Sequence, residues 1–163
     1  MNILKYTFVI VFALSVFLTP GTEQPVYGDE AEEYCKTALF AAEACQRYMM
    51  RVRLKEQVFL ENEFNIMVRN HPAAYKLPKR KIYEIAGRIC CFEGAKDGLE
   101  TRLKMSHSRP EFMDYKQYAY SQCYSQLSSY EKTHGSLNGL ERIKPQNLDN
   151  KIRPLLRLYG LRK

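Results

Sequence analysis

The chain has no tryptophan, and of its 163 residues only eight are glycine and seven proline. So little punctuation excludes a turn-rich sheet architecture, in which turn signals recur roughly every ten residues. No stretch alternates apolar and polar residues long enough to form a strand, and there is no internal repeat or low-complexity tract. Long apolar runs are scarce too. The one at residues 6–18 is shorter than the about 20 residues a bilayer span needs, and no later segment nears that length without charges. Retention in a membrane is therefore not expected. Histidine is rare: His71, His107 and His134 each sit beside Pro, Ser or Gly, and none accompanies a metalloprotease, nucleophile-elbow or phosphate-loop motif. There is no Cys-x-x-Cys and no His close to any Cys, so no zinc motif is present. Neither a catalytic constellation nor a metal or cofactor site is expected.

What the chain does have begins with a secretory leader. Residues 1–5 are short and positive, residues 6–18 apolar, and Thr19-Pro20-Gly21 and Val26-Tyr27-Gly28 offer small-residue exits. This predicts a signal peptide over residues 1–28, with cleavage after Gly21 as the alternative. The roughly 135 residues that follow suit one domain, 29–163, and are too few for two. Export favours disulfides for the five cysteines, Cys35, Cys45, Cys90, Cys91 and Cys123. At most two bridges form within one chain, and the odd thiol opens the option of a homodimer. Neighbouring Cα atoms lie about 3.8 Å apart, too close for Cys90 and Cys91 to bond each other.

Apolar spacing predicts three main helices. The first opens on the acids Asp29, Glu30, Glu32 and Glu33, which suit a helix N-terminus. Its stripe of Cys35, Ala38, Ala42, Cys45, Met49, Val52, Phe59 and Ile66 recurs at three- and four-residue steps. Continued to Val68 it would be roughly 60 Å long, so a break is expected between Arg53 and Glu63. Asn70-His71-Pro72 ends that region. A second helix is predicted over residues 78–105 with Ile82, Ile85, Ala86, Ile89, Phe92, Leu99 and Leu103 inward, and a third over 110–132 with Phe112, Tyr115, Tyr118, Ala119, Cys123 and Leu127 inward. Cys90 and Cys91 flank the second helix's buried face. They are therefore expected to tie the second helix to the first and third, leaving Cys35 or Cys45 free or intermolecular. Short helical pieces over 137–143 and 148–152 should stop at Pro145 and Pro154. The expected fold is an all-α, disulfide cross-linked compact bundle of three main helices plus short C-terminal helical segments.

The formal net charge of +7 is unevenly spread. Residues 29–70 hold six bases against eight acids, 71–105 eight against four, and 135–163 seven against two. For an exported protein this points to an acidic glycoprotein, an anionic glycan or an anionic membrane surface, and away from nucleic acid. Arg47, Arg51 and Lys55 line one side of the first helix, a pattern as compatible with plain solvation as with binding. Lys76, Lys79, Arg80 and Lys81 form a denser cluster, expected to bind the partner together with Arg153, Arg157, Arg162 and Lys163; Lys79-Arg80 also reads as a dibasic processing site. In the tail, Leu155, Leu156, Leu158 and Tyr159 alternate with bases. Such a segment either docks as an apolar strap with its charges outward or stays accessible as a membrane-active piece.

The run Ser108-Arg109-Pro110-Glu111-Phe112-Met113-Asp114-Tyr115 is similar to the loop-to-helix entry of gastropod sperm egg-lysins, where a basic residue and proline precede an Asp-Tyr pair at nearly this spacing. His71 falls at the matching end of the first long helix, and Leu77-Pro78-Lys79-Arg80-Lys81-Ile82-Tyr83-Glu84-Ile85-Ala86-Gly87-Arg88 resembles the start of the second. Glu141-Arg142-Ile143-Lys144-Pro145 and Tyr159-Gly160-Leu161-Arg162-Lys163 resemble the basic C-terminus. The chain differs in its five cysteines, its lack of tryptophan and its lower positive charge, which leaves room for the family's fusogenic branch. The resemblance implies an all-helical secreted protein stored in an acrosomal vesicle. Without enzymology, it would bind egg vitelline-envelope glycoprotein or perturb the egg membrane at fertilisation. Composition alone also fits a third class, a secreted helical ligand for a receptor or acidic glycan.

Overall fold

Asp29 opens the first helix by accepting a hydrogen bond from the Glu32 amide at 3.3 Å, and three acids follow it in the first turn. In the computed structural model, which describes residues 29–54, 57–105 and 107–161, this helix is α1 (Glu30–Arg51). The expected leader, residues 1–28, lies outside the described residues, as do Lys55, Glu56, Ser106, Arg162 and Lys163. α2 (Leu60–Asn70), α3 (Arg80–Leu103), α4 (Tyr115–His134) and α5 (Leu148–Leu158) follow, with 3-10 turns at Pro72–Tyr75 and Asn138–Arg142. No strand occurs among the described residues. The protein is an all-α bundle of five helices.

The long first helix divides as its length requires. Val52 turns extended, one residue ahead of the expected window, and α2 folds back antiparallel to α1. Fold-back lets Leu60, Phe64 and Val68 reach the core, which a straight continuation would deny them. The phase of the stripe changes at the break. Phe59 and Ile66, expected inside, are instead 45% and 57% exposed. Phe40 stacks on His71 with ring centroids 3.6 Å apart and closes the far end of the α1–α2 pair.

α1 and α3 run parallel at very short range. At one end Lys79 pairs with Glu30 at 2.5 Å, and at the other the Arg102 guanidinium donates to the Met49 carbonyl at 3.3 Å. Between them, small residues meet: Ala38, Ala41, Ala42 and Cys45 on α1 face Gly94, Ala95 and Gly98 on α3. A Cβ on Gly94 would lie 1.9 Å from the Ala42 carbonyl oxygen, and one on Gly98 2.5 Å from that of Gln46. Only glycine permits that approach.

The disulfides follow from this packing and correct part of the expected pairing. Cys91 faces α1 and bonds Cys45 across a Cα–Cα distance of 5.2 Å, as expected for a link from the first long helix to the second. α4 lies antiparallel to α1, so Cys123 bonds Cys35 instead of reaching α3. Both Cys35 and Cys45 are therefore used. Cys90 is the free thiol, fully buried, with its sulfur 4.0 Å from the Ala119 carbonyl oxygen. Burial, reinforced by the Glu93 charge, pushes that thiol up to about 12. It is placed where no second chain can reach it.

α4 starts five residues later than expected from Pro110. Asp114 is its cap, accepting from the Gln117 amide at 2.7 Å, and Gly135 ends it at φ 76°. Phe112, expected on the buried face, precedes the helix and is 98% exposed. α5 departs from expectation as well: it runs through Pro154. Proline inside a helix costs about 3 kcal/mol. Here Leu148, Ile152 and Leu156 are buried at i, i+4 and i+8, each contributing about 1.5–3 kcal/mol, and exposed Pro154 leaves the lost hydrogen bond to water.

A reciprocal clamp joins α2, α5 and α3. Asp149 accepts from the Leu60 amide at 2.6 Å, while Glu61 accepts from the Leu148 amide at 2.9 Å, so each helix supplies the other's N-terminal acceptor. Arg88, on α3, donates to Glu61 at 2.7 Å and to Glu84 at 3.2 Å and covers the Phe64 ring. Burial alone would raise the Glu61 carboxyl; the Arg88 and Leu148 hydrogen bonds outweigh it and hold the group below its ordinary value.

Two outcomes are expected. Non-reducing peptide mapping should recover Cys35–Cys123 and Cys45–Cys91, with Cys90 alkylated only after denaturant is added; rapid labelling of the native protein would contradict this burial. Gly94→Ala should lower unfolding free energy by about 3 kcal/mol or more in chemical denaturation, because the clash is with backbone and cannot relax by a rotamer change.

Candidate functional site

At the end of the bundle where α1, α3 and α5 finish and α4 begins, two carboxylates organise the chain. Asp97 and Glu100 are three residues apart on α3, so they share a face, and they are only 5% and 3% exposed. Each is satisfied from several elements. Gln46 on α1 donates to Asp97 at 2.9 Å, and Arg109 forms an ion pair with the same carboxylate. The His107 ring nitrogen lies 3.2 Å from Glu100 and 3.6 Å from Asp97. Tyr159, at the end of α5, donates its hydroxyl to Glu100 at 3.2 Å. Burial first, then the Glu100 charge and hydrogen bond, push the Tyr159 phenol up, so it stays a donor.

These bonds pin the loop between α3 and α4. Lys104, at φ 53°, ends α3 in the left-handed region, and His107 and Arg109 then anchor the chain back onto the helix it has just left. Phe112, three residues past Arg109, has no such anchor and stands in solvent. Met105 in the same loop is 43% exposed, and Leu158, next to Tyr159, is 75% exposed. Met50 is exposed where Arg102 bonds the carbonyls of Met49 and Val52 at the end of α1. Arg51, Lys104 and Arg157 are exposed at this end, with no ion pair among the described residues. The result is a surface of separate apolar side chains set among uncompensated bases.

The expected binding residues are split between two places. Lys76 and Arg80 are exposed at the start of α3, but Lys79 is paired with Glu30, and the Lys81 ammonium lies 3.8 Å from Glu84. Arg153 and Arg157 are exposed on α5, which runs parallel to α3 and meets it at Glu100. That level is about 30 Å along α3 from Arg80, at about 1.5 Å per residue. The two groups do not form one patch. Arg162 and Lys163 lie outside the described residues, as does Lys55, while Arg47 pairs with Glu43 at 2.7 Å.

In the tail, Leu156 is buried and Leu155 and Tyr159 pack on the core, leaving Leu158 as the accessible member of the four membrane-active candidates. The tail is a docked strap with Arg153 and Arg157 outward. Sequence reasoning placed Phe112 on a buried helix face and singled out neither Met105 nor the Asp97–Glu100 pair. One signal for Phe112 was present, since Asp114 followed by Gln117 is a helix-start pattern that puts Phe112 before the helix.

Among the described residues no group of His, Cys, Asp and Glu side chains is arranged to hold a metal ion, and no helix is long and apolar enough to cross a membrane.

Arg109→Ala should leave a buried Asp97 carboxylate short of its cation and lower unfolding free energy by about 2–3 kcal/mol. Asp97→Asn should cost less, because it leaves no buried charge. Chemical denaturation of the two variants, with Arg109→Ala equal to or milder than Asp97→Asn, would count against the anchoring role.

No protein-family model, no curated protein and no solved structure matches this chain.

Proposed function

We propose that this is a secreted, non-enzymatic binding protein of the sperm egg-lysin type, released from an acrosomal vesicle to engage an egg vitelline-envelope glycoprotein at fertilisation. The observation that carries this reading is the Phe112 loop. The segment that resembles egg-lysins, residues 108–115, is the one anchored by Arg109 and presenting an almost fully exposed aromatic side chain. Holding an apolar side chain in water is unfavourable by about 1.5–3 kcal/mol relative to burial, and a partner surface recovers that free energy. The exposed bases Arg51, Lys104 and Arg157 at this end of the bundle speed encounter with an acidic glycoprotein and fix its orientation.

Mechanistically, such a protein displaces contacts within the coat by making its own. Each molecule is consumed in the exchange, so loosening is stoichiometric. A membrane-perturbing role is the second reading, supported by Leu158 standing exposed beside Arg157. Insertion of Leu155, Leu156 and Tyr159 would require the strap to undock from the core. That requirement favours the glycoprotein reading.

Graded amounts of protein added to isolated egg envelopes should dissolve coat in proportion to dose and then stop. Phe112→Ser should weaken binding about tenfold, or about 1.4 kcal/mol, without changing helicity. Sustained dissolution from a trace dose would defeat the non-enzymatic reading. Inert envelopes with dye release from anionic liposomes would move the weight to membrane action. Inertness in both assays would favour a receptor ligand.

A further inference from the structure

The opposite end of the bundle holds a feature that glycoprotein binding does not use. An open cavity of about 390 Å³ lies between the start of α1 and the last two turns of α4, lined by Asp29, Tyr124, Ser128, Glu131, Lys132 and Gly135. Its volume is within the about 300–1,000 Å³ of small-ligand sites. Its lining side chains carry oxygens on Asp29, Tyr124, Ser128 and Glu131 and one ammonium, on exposed Lys132. Asp29 already accepts the Tyr124 hydroxyl and the Glu32 amide. The Glu131 carboxylate is half-buried and makes no hydrogen bond or ion pair among the described residues. Ser128 is 8% exposed, and its hydroxyl also has no partner among them. The Ser128 hydroxyl and the Glu131 carboxylate thus face the cavity with acceptor capacity to spare, and the Lys79 charge, already paired with Glu30, offsets Glu131 only in part.

We propose that this cavity binds an alkylammonium group, a primary amine on a short aliphatic chain. The sign of the charge follows from Asp29 and Glu131, which sit in a protein of net charge +7 and repel each other across the cavity. Burial raises the Glu131 carboxyl, and the Asp29 and Glu30 charges raise it further against the partial relief of Lys79, so an added cation relaxes an existing strain. The headgroup follows from the geometry of the acceptors. They come from separate side chains on two helices, which suits the three diverging N–H donors of an ammonium better than the planar fork of a guanidinium. The aliphatic chain lies along the Lys132 stem and exits over Gly135, where a Cβ would meet nothing within 4 Å. The amine can be a free molecule or the lysine side chain of a partner polypeptide.

Amide shift mapping by NMR on the full secreted chain, titrated with cadaverine, N-acetyl-lysine amide and the uncharged N-acetyl-norleucine amide, tests this. The two amines should shift the amides of Ser128, Lys132 and Gly135 saturably, with millimolar affinity, and the norleucine compound should not. Binding of cadaverine alone assigns the site to free amines; binding of both admits a lysine side chain. Glu131→Gln should weaken the amines at least tenfold, and Ser128→Ala severalfold, with thermal unfolding unchanged. Phe112→Ser should bind them normally, which separates this site from the proposed glycoprotein surface. Equal shifts from the norleucine compound, no shifts from either amine, or an unchanged affinity in Glu131→Gln would each overturn the proposal.

Discussion

The structure depends on one contact, the backbone-to-backbone approach of α1 and α3 at Gly94 and Gly98. Because no side chain separates the helices there, the two axes are fixed at a spacing that larger residues cannot reproduce. The Cys45–Cys91 bond is possible only at that spacing, since its Cα atoms lie 5.2 Å apart. Close approach also makes α3 a central helix, with α1 on one side and α2, α4 and α5 filling the remainder of its surface. Residues as different as Tyr83, Arg88, Cys90, Asp97 and Glu100 are consequently buried on a single helix.

A central helix buried nearly all round carries polar groups that must find partners inside the protein. Arg88 is met by Glu61 and Glu84, and Asp97 and Glu100 by Gln46, Arg109, His107 and Tyr159. The satisfaction is not complete: the Tyr83 hydroxyl and the Arg88 Nε are buried without a partner among the described residues. These networks draw distant chain segments onto α3, and they do so at its ends and edges, where loops can reach. The Phe112 loop owes its fixed position to that arrangement, because the carboxylates that hold it are themselves immobilised in the core.

The sequence revealed helices, their approximate extents and the α1 break, since those follow from short-range periodicity. Its blind spots share one cause. The pairing of Cys123 with Cys35, the burial of Cys90 as the free thiol and the outward turn of Phe59 and Ile66 all depend on which helix lies beside which, and periodicity does not encode neighbours. Pro154 misled for a related reason: its local cost is readable, whereas the burial of Ile152 and Leu156 that offsets it requires the rest of the bundle. At the candidate surface, the bases were visible as letters but not as places, so Lys76 to Lys81 and the α5 arginines were joined across some 30 Å of helix. The Asp97–Glu100 pair looked like ordinary charged residues of an amphipathic helix. Only the central placement of α3 makes them interior.

The two disulfides both end on α1, and the loop closed by Cys45 and Cys91 lies wholly inside the one closed by Cys35 and Cys123. The dibasic pair Lys79-Arg80 falls within both. A convertase cut there would therefore liberate nothing: the product would be a two-chain molecule, with α1 and α2 on one chain covalently bolted to α3, α4 and α5 on the other. Processing at that site could loosen the entry of α3 while conserving mass and composition, and reduction would be needed before a fragment diffused away.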